Sequence, residues 1–261
     1  MTGRMRAGVA LLVGLLGFAA QASAQIRGMP LFTNPRYGTG IRFHVDMGQS
    51  VDSGTALTAS TVIQGGASLA IGPVGLNVMV GTLKNDLTET QECISHPALD
   101  CEDQTMSASG LAQIRLAGGT RRSNLSLSVF GGASFDVSAA DFAGIPDSIK
   151  TLLGIVDAKQ LNIPVGVSVG LRIPLGLNSL NLWGAPRMNL TRWANCGTTC
   201  PKGTQNFRWA VGADLPIFRI ISVRAAYDAG KVKVWDRLGV EREVNNNYWG
   251  IGVSVGIGGM R

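Results

Sequence analysis

Residues 248–258, YWGIGVSVGIG, decide the fold of this chain because large apolar side chains alternate strictly with small ones. The isoleucine and valine residues of this stretch are two apart, so in a β-strand they share one face. The opposite face carries glycine and Ser254, where a soluble antiparallel sheet would carry charge. The pattern predicts a strand with large side chains toward lipid and small ones toward a crowded barrel interior.

The composition of the whole chain favours a membrane barrel over a soluble domain. Charged residues make up 15% of the 261 residues, against roughly 25% in an average soluble domain, and 35 residues are glycine. Beyond the N-terminus no apolar run reaches the roughly 18 residues that a membrane-spanning helix requires. A closed barrel also satisfies the backbone hydrogen bonds in lipid. A soluble up-and-down barrel would need a charged outer face, which most of the predicted strands do not supply.

The first 24 residues have the parts of a secretory signal peptide. Arg4 and Arg6 precede an apolar run at 9–20, and small residues at positions 22 and 24 predict cleavage before Gln25. Cleavage lowers the formal net charge from +6 to +4, because it removes two arginines and no acidic residue. This small surplus, without a basic run, predicts no binding to nucleic acid.

Connections of two lengths alternate along the rest of the chain. Short turns at 72–73, 118–123, 174–179 and 216–217 separate longer loops. Outer-membrane barrels combine short periplasmic turns with long outer loops in this way, so we expect all-β, transmembrane, antiparallel up-and-down topology with about ten strands, between roughly eight and twelve. The chain then divides into a signal peptide (1–24), a periplasmic lead-in (25–36) and an outer-membrane β-barrel (37–261).

Residues 37–258 resemble the small bacterial outer-membrane β-barrel proteins of the OmpA/OmpX kind, by strand pattern rather than by a motif. The resemblance implies a place in the bacterial outer membrane, surrounded by its lipid. It also implies delivery by periplasmic chaperones and the barrel assembly machinery. Such barrels often end in an aromatic residue, whereas this chain ends Gly259-Met260-Arg261.

Aromatic residues gather near the ends of the predicted strands, where a spanning strand crosses the headgroup layer. Side chains at such positions anchor a membrane protein at both interfaces, because their rings are apolar and their tips are polar. The sequence predicts an aromatic girdle of Tyr37, Trp193, Trp209, Tyr227, Tyr248 and Trp249.

Charged residues on the inward side of the predicted strands indicate a polar network that fills a narrow lumen. Its predicted members are Arg42, His44, Asp46, Arg115, Arg172, Arg208, Asp214, Arg224 and Asp228. His44 and Asp46 share one face of the first strand, so a catalytic pair of an enzyme at the barrel rim is the alternative interpretation of these two residues. The polar network is favoured over the enzyme, because the chain has only two histidines from which a catalytic residue could come. We expect no enzymatic activity.

Residues 166–170 and 252–256 both match the G-x-S-x-G nucleophile elbow. That motif requires a turn from strand to helix and partner histidine and acidic residues. Here each copy lies in the middle of a predicted strand, with its serine facing inward. Alternation with small residues explains both copies, so we expect no catalytic serine.

The four cysteines form two local pairs, each within one predicted outer loop. Export of the chain predicts local disulfides, Cys93 with Cys101 and Cys196 with Cys200. The spacing from Cys93 to Cys101 is too wide for the knuckle of a four-cysteine zinc site. We expect neither a metal nor a cofactor.

One outer loop carries a helical pattern at 146–157, with apolar residues spaced i, i+3, i+4 and i+7 behind a start signal. This short helix either caps the barrel mouth or gates it. The sequence thus predicts an integral outer-membrane barrel, structural or a narrow passive pore. Two alternatives stay open: a transporter of small or hydrophobic molecules gated by the 146–157 helix, and a rim protease or lipid hydrolase that uses His44 and Asp46.

Overall fold

Strands that alternate outward and inward side chains make up almost all of the described chain. The computed structural model describes residues 29–51, 59–86, 94–95, 102–119, 123–137, 159–176, 178–194, 203–218, 220–235 and 241–257. The strands are β1 Gly40–Ser50, β2 Ala59–Ile71, β3 Val74–Asp86, β4 Glu102–Gly118, β5 Leu125–Asp136, β6 Lys159–Leu175, β7 Asn178–Ala194, β8 Thr204–Pro216, β9 Ile221–Trp235, β10 Glu241–Asn245 and β11 Tyr248–Ile257.

Antiparallel pairing of consecutive strands closes the sheet into a barrel. The first strand, β1, pairs with β2 on one side and with β11 on the other, from Ile41↔Ile257 to Ser50↔Tyr248. Beyond β8, β9 pairs with β11 along its first half and with β10 along its second half. Because β10 and β11 share one partner, they are two parts of a tenth strand. The predicted up-and-down barrel is confirmed.

Two of the prolines within the strands, Pro164 and Pro186, lie where the pairing with a neighbouring strand is interrupted. The pairing of β6 with β7 passes from Gly166↔Arg187 to Val169↔Gly184, on either side of Pro186. The pairing of β5 with β6 has a similar gap at Pro164. Proline has no N–H to donate, so an interruption of the ladder accommodates it. The seventh strand, Asn178–Ala194, continues through Pro186.

The outer face of the barrel is apolar and the inner face is polar. On β1, Phe43 and Val45 are 52% and 62% exposed, whereas the intervening His44 is 4% exposed. Ser128 and Ser168 face inward and are fully buried. This is the reverse of a soluble barrel and the arrangement expected of one that spans a membrane. In the part of the chain that the structure describes, no helix is long and apolar enough to cross a membrane.

Short connections join the strands at one end of the barrel, here called the short-turn end. They are residues 72–73, 119–124, 176–177 and 217–220, and the opposite end, with the longer connections, is called the loop end. Several sequence predictions concern residues outside the described ranges. These are the signal peptide at 1–24, the four cysteines and the loop helix at 146–157.

Half of the predicted aromatic girdle turns inward. Tyr248 is 5% exposed and lies beneath the guanidinium of Arg208. Tyr37 precedes β1 and lies inside the barrel mouth, and Trp193 shares the inward alternation of β7. The outward aromatic residues are Trp209, Tyr227 and Trp249, which lie on adjacent strands. Strand ends alone do not specify a girdle, because the parity of each position decides its face.

Candidate functional site

Residues Met29–Tyr37, here called the luminal segment, run through the inside of the barrel. At one end Met29 packs against Val62 and Leu83, which lie near the loop ends of β2 and β3. At the other end the hydroxyl of Tyr37 donates to the carbonyl of Pro73, in the turn between these strands. Nine extended residues reach at most roughly 30 Å, comparable with the roughly 25 Å apolar band of such barrels. The segment therefore spans most of the lumen.

This placement differs from the predicted periplasmic lead-in at 25–36, of which the structure describes 29–36. Met29, Leu31 and Thr33 are at most 2% exposed, and Pro35 is also fully buried. Pro30 is buried as well. From Leu31 to Pro35 the buried positions are two apart, so this extended part turns alternate side chains into the tightest part of the lumen. Leu31 joins an interior apolar cluster with residues from five strands: Leu111, Phe130, Trp183, Ala185, Ala210 and Ala226.

Inward-facing glycines make room for the luminal segment. A Cβ at Gly170 would lie 2.7 Å from Cγ of Pro35, and a Cβ at Gly250 would lie 2.9 Å from Cδ of Pro30. Both distances are shorter than side chains tolerate. The sequence analysis predicted that the glycine face meets a crowded interior. In the structure this face makes room for the luminal segment as well as for the inward side chains of the strands.

Hydrogen bonds tie the backbone and side chains of the luminal segment to several strands. Asn34 Nδ2 donates to Asp214 at 2.6 Å, the N–H of Leu31 donates to Asp228 at 3.2 Å, and Ser168 Oγ donates to the carbonyl of Thr33. Because a buried backbone group without a partner is costly, these bonds fix where along the lumen the segment lies. Two acidic residues of the predicted network thus bind the segment.

Arg115 holds the segment at the short-turn end. Its Nη2 donates to the carbonyl of Tyr37 at 2.5 Å, its Nε donates to the carbonyl of Pro35 at 3.3 Å, and its guanidinium lies 4.5 Å from the centre of the Tyr37 ring. Arg36 donates to the carbonyl of Ser123 at 2.5 Å. These contacts fix the chain where it turns into β1.

Asp228 is the centre of one buried charge cluster. It accepts hydrogen bonds from Arg187 Nη2 at 2.6 Å and from Arg208 Nη2 at 2.9 Å. Both arginine side chains are at most 3% exposed. Arg187 was missed by the sequence analysis, although the inward parity of Trp183 on the same strand predicts its direction. The proline before it made the alternation of β7 harder to recognise.

Asp46 is the centre of a second buried cluster. It accepts from Gln64 Nε2 at 3.0 Å and from Arg224 Nε at 2.6 Å, and it lies 3.1 Å from His44 Nδ1. His44 Nε2 lies 2.9 Å from Oδ1 of Asn77. Arg224 also lies 4.4 Å from the centre of the Phe32 ring, so the luminal segment covers this cluster. His44 and Asp46 are thus interior groups with structural partners, and neither is at a barrel rim.

The remaining predicted network residues lie toward the short-turn end. Asp214 also accepts from Trp183 Nε1 at 3.0 Å. Together with Arg224 and Asp214, Arg42 lines a cavity of about 90 Å³ beside the luminal segment. The side chain of Arg172 makes no hydrogen bond or salt bridge with any residue in the described ranges. All nine predicted residues therefore occupy inward positions of their strands.

The two serine motifs lie inside strands, without the turn that a nucleophile elbow needs. Ser168 is in β6 and bonds the luminal segment, and Ser254 is in β11 with its Oγ 2.6 Å from Ser222 Oγ. Among the residues that the structure describes, no group of three histidine, cysteine or acidic side chains is arranged to hold a metal ion. The chemistry of this interior is hydrogen bonding and charge pairing.

Solved structures with the same kind of fold come from proteins with different activities. The translocator domain of the autotransporter NalP from Neisseria meningitidis has a TM-score of 0.44 and 11% identity, over 97% of this chain and 98% of that chain. Neisserial surface protein A has a TM-score of 0.38 and 12% identity, over 85% and 100%. The outer-membrane protease OmpT from Escherichia coli has a TM-score of 0.33 and 10% identity, over 84% and 94%. No protein-family model and no curated protein sequence matches the chain.

Proposed function

We propose that this protein is an integral β-barrel of the bacterial outer membrane with a structural role, and that its own luminal segment keeps it closed. The observation that carries the proposal is the burial of Met29, Leu31, Thr33 and Pro35 inside the barrel. Outer-membrane lipid covers the apolar outer face, and periplasmic chaperones and the assembly machinery deliver the chain. The side chains of the inner face pack against the luminal segment and form hydrogen bonds with it.

A narrow passive pore is the less favoured form of the same function. The cavity of about 90 Å³ beside the segment has room for a few water molecules. A solute path through the barrel would require the segment to leave, which would break its hydrogen bonds to Asp214, Asp228 and Ser168. A transporter gated by residues 146–157 has no specific contact among the described residues in its favour.

A rim hydrolase that uses His44 and Asp46 is also less favoured. A catalytic pair must lie within hydrogen-bond range of a reacting group on the substrate. The side chains of His44 and Asp46 are 2% and 0% exposed, and Asn77, Gln64 and Arg224 occupy their polar atoms. The cavity that His44 lines has a volume of about 90 Å³, which has room for a few water molecules and is too small for a peptide or a lipid.

Conductance in planar bilayers tests the proposal. The wild-type barrel should be silent, because the luminal segment fills the lumen. Gly170→Val should conduct, because its side chain would meet Pro35 at 2.7 Å and displace the segment. Deletion of residues 29–36 should conduct as well, and it covers the case in which Gly170→Val does not fold.

Gly184→Val is the matched control. Gly184 faces outward, and a Cβ there would meet nothing closer than the carbonyl of Ala210 at 4.0 Å. This variant should be as silent as the wild type. Steady channels in the wild-type protein would contradict a closed barrel and support a passive pore. Silence of the folded deletion variant would show that the segment is not what closes the lumen.

A further inference from the structure

The short-turn end of the barrel is strongly basic. Its described residues are 35–42, 68–77, 112–119, 123–128, 170–176, 178–183, 213–218, 220–224 and 254–257. They contain five arginines and one carboxylate: Arg36, Arg42, Arg115, Arg172, Arg224 and Asp214. Of these arginines, Arg224 is paired with Asp46, which lies deeper in the lumen. By contrast, the loop end carries mixed pairs such as Lys84 with Glu102 and Lys231 with Glu243.

Three of these arginines, Arg36, Arg115 and Arg172, surround the mouth where the luminal segment turns into β1. Arg115 bonds the carbonyls on either side of Arg36, and the backbone N–H of Arg172 donates to the carbonyl of Asn124, next to the Ser123 that Arg36 binds. The pKa of the Arg36 guanidinium is lowered by burial and then by the positive charges of Arg172 and Arg115. The three charges are therefore close enough to repel one another.

The charge of Arg172 is the least compensated of the three. Its side chain makes no hydrogen bond or salt bridge within the described residues, and Arg115 bonds only neutral carbonyls there. Asp214, the carboxylate of this end, accepts hydrogen bonds from Asn34 and Trp183 instead. A guanidinium such as that of Arg172, which has no carboxylate partner among the described residues and has two further positive charges beside it, favours an anion next to it.

We infer that the short-turn mouth is a binding site for a phosphate group, which Arg172 contacts with Arg36 and Arg115 beside it. A phosphate group matches the site because it carries up to two charges and presents several oxygens to planar guanidinium donors. The group belongs either to free phosphate or to an anionic lipid headgroup at the membrane surface. The site is present with the luminal segment in place, so it does not depend on whether the barrel conducts.

Calorimetric titration of the full-length folded barrel in neutral detergent, at low salt and in a buffer free of phosphate, tests the inference. The probes are inorganic phosphate, dihexanoyl phosphatidylglycerol and, as a zwitterionic control, dihexanoyl phosphatidylcholine. Arg172→Gln should weaken the binding of whichever anionic probe binds the wild-type protein by about tenfold or more, since it removes a charge-assisted contact. This variant should fold, because the native side chain has no described bond to lose. Heat-dependent gel mobility checks that it does.

Lys231→Gln is the control for a general loss of positive charge, because Lys231 is exposed at the loop end. It should leave the affinity unchanged within about twofold at a remote, screened position. Binding of inorganic phosphate that depends on Arg172 identifies free phosphate as the ligand. Binding of phosphatidylglycerol alone, with the same dependence, identifies a lipid headgroup. No binding of either probe, equal effects of the two substitutions, or equal binding of phosphatidylcholine would overturn the site, whatever the conductance experiments give.

Discussion

The backbone N–H of Leu31 donates a hydrogen bond to the carboxylate of Asp228 at 3.2 Å, across 197 residues of sequence. The same carboxylate accepts hydrogen bonds from Arg187 and Arg208, on β7 and β8. One acidic side chain on β9 therefore joins the luminal segment to two neighbouring strands. The arrangement is buried, so removal of the carboxylate would take an opposite charge away from both arginines at once.

Replacing Asp228 with asparagine should strongly destabilise the barrel. The change removes the carboxylate that pairs with the buried charges of Arg187 and Arg208, and loss of one partner of such a cluster costs about 3–5 kcal/mol. Urea unfolding in detergent or lipid vesicles measures the loss. Glu243→Gln, in the exposed pair with Lys231 at 3.5 Å, is the control and should cost at most about 1 kcal/mol. Equal losses in the two variants would mean that Asp228 is not the centre of a buried cluster.

The two faces of β6 are distinguished by substitutions at adjacent positions. Val167 is 40% exposed on the outer face, so Val167→Arg should cost about 2–4 kcal/mol near the middle of the membrane. Ser168 is fully buried and donates to the carbonyl of Thr33, so Ser168→Ala should cost about 1 kcal/mol. Unfolding in lipid vesicles gives both values. A larger cost at Ser168 than at Val167 would show that the faces are assigned the wrong way round.

The interior histidine provides a test of the rim-enzyme alternative. Wild-type protein and the His44→Ala variant should both fail to hydrolyse peptide or lipid-ester substrates, because the side chains of His44 and Asp46 are buried and the cavity beside His44 has room for only a few water molecules. The variant should be less stable by about 1–3 kcal/mol, since Asp46 and Asn77 each lose a buried partner. Hydrolysis by the wild type that disappears in the variant would establish the enzyme and refute the closed structural barrel.

Aromatic and basic residues show where sequence patterns were insufficient. Tyr37 and Tyr248 lie near strand ends, as girdle residues do, but both face inward beneath arginine side chains, Arg115 and Arg208. A position near a strand end fixes depth in the membrane, whereas its parity along the strand fixes the face. Arg187 was missed for a related reason, since the preceding proline obscured the alternation that directs it inward.

The barrel fold follows from local patterns along the chain. The alternation in 248–258, the rarity of charge and the two lengths of connection are local properties, and local periodicity fixes which side of a strand meets lipid. The identity of the segment that fills the lumen depends instead on contacts between distant parts of the chain. Residues 29–37 have no strand periodicity that marks them, and the groups that hold them, Ser168, Asp214 and Asp228, lie 135 to 197 residues away in the chain. Contacts of that range exist only once the ten strands have closed, because closure brings all the inward faces around one axis.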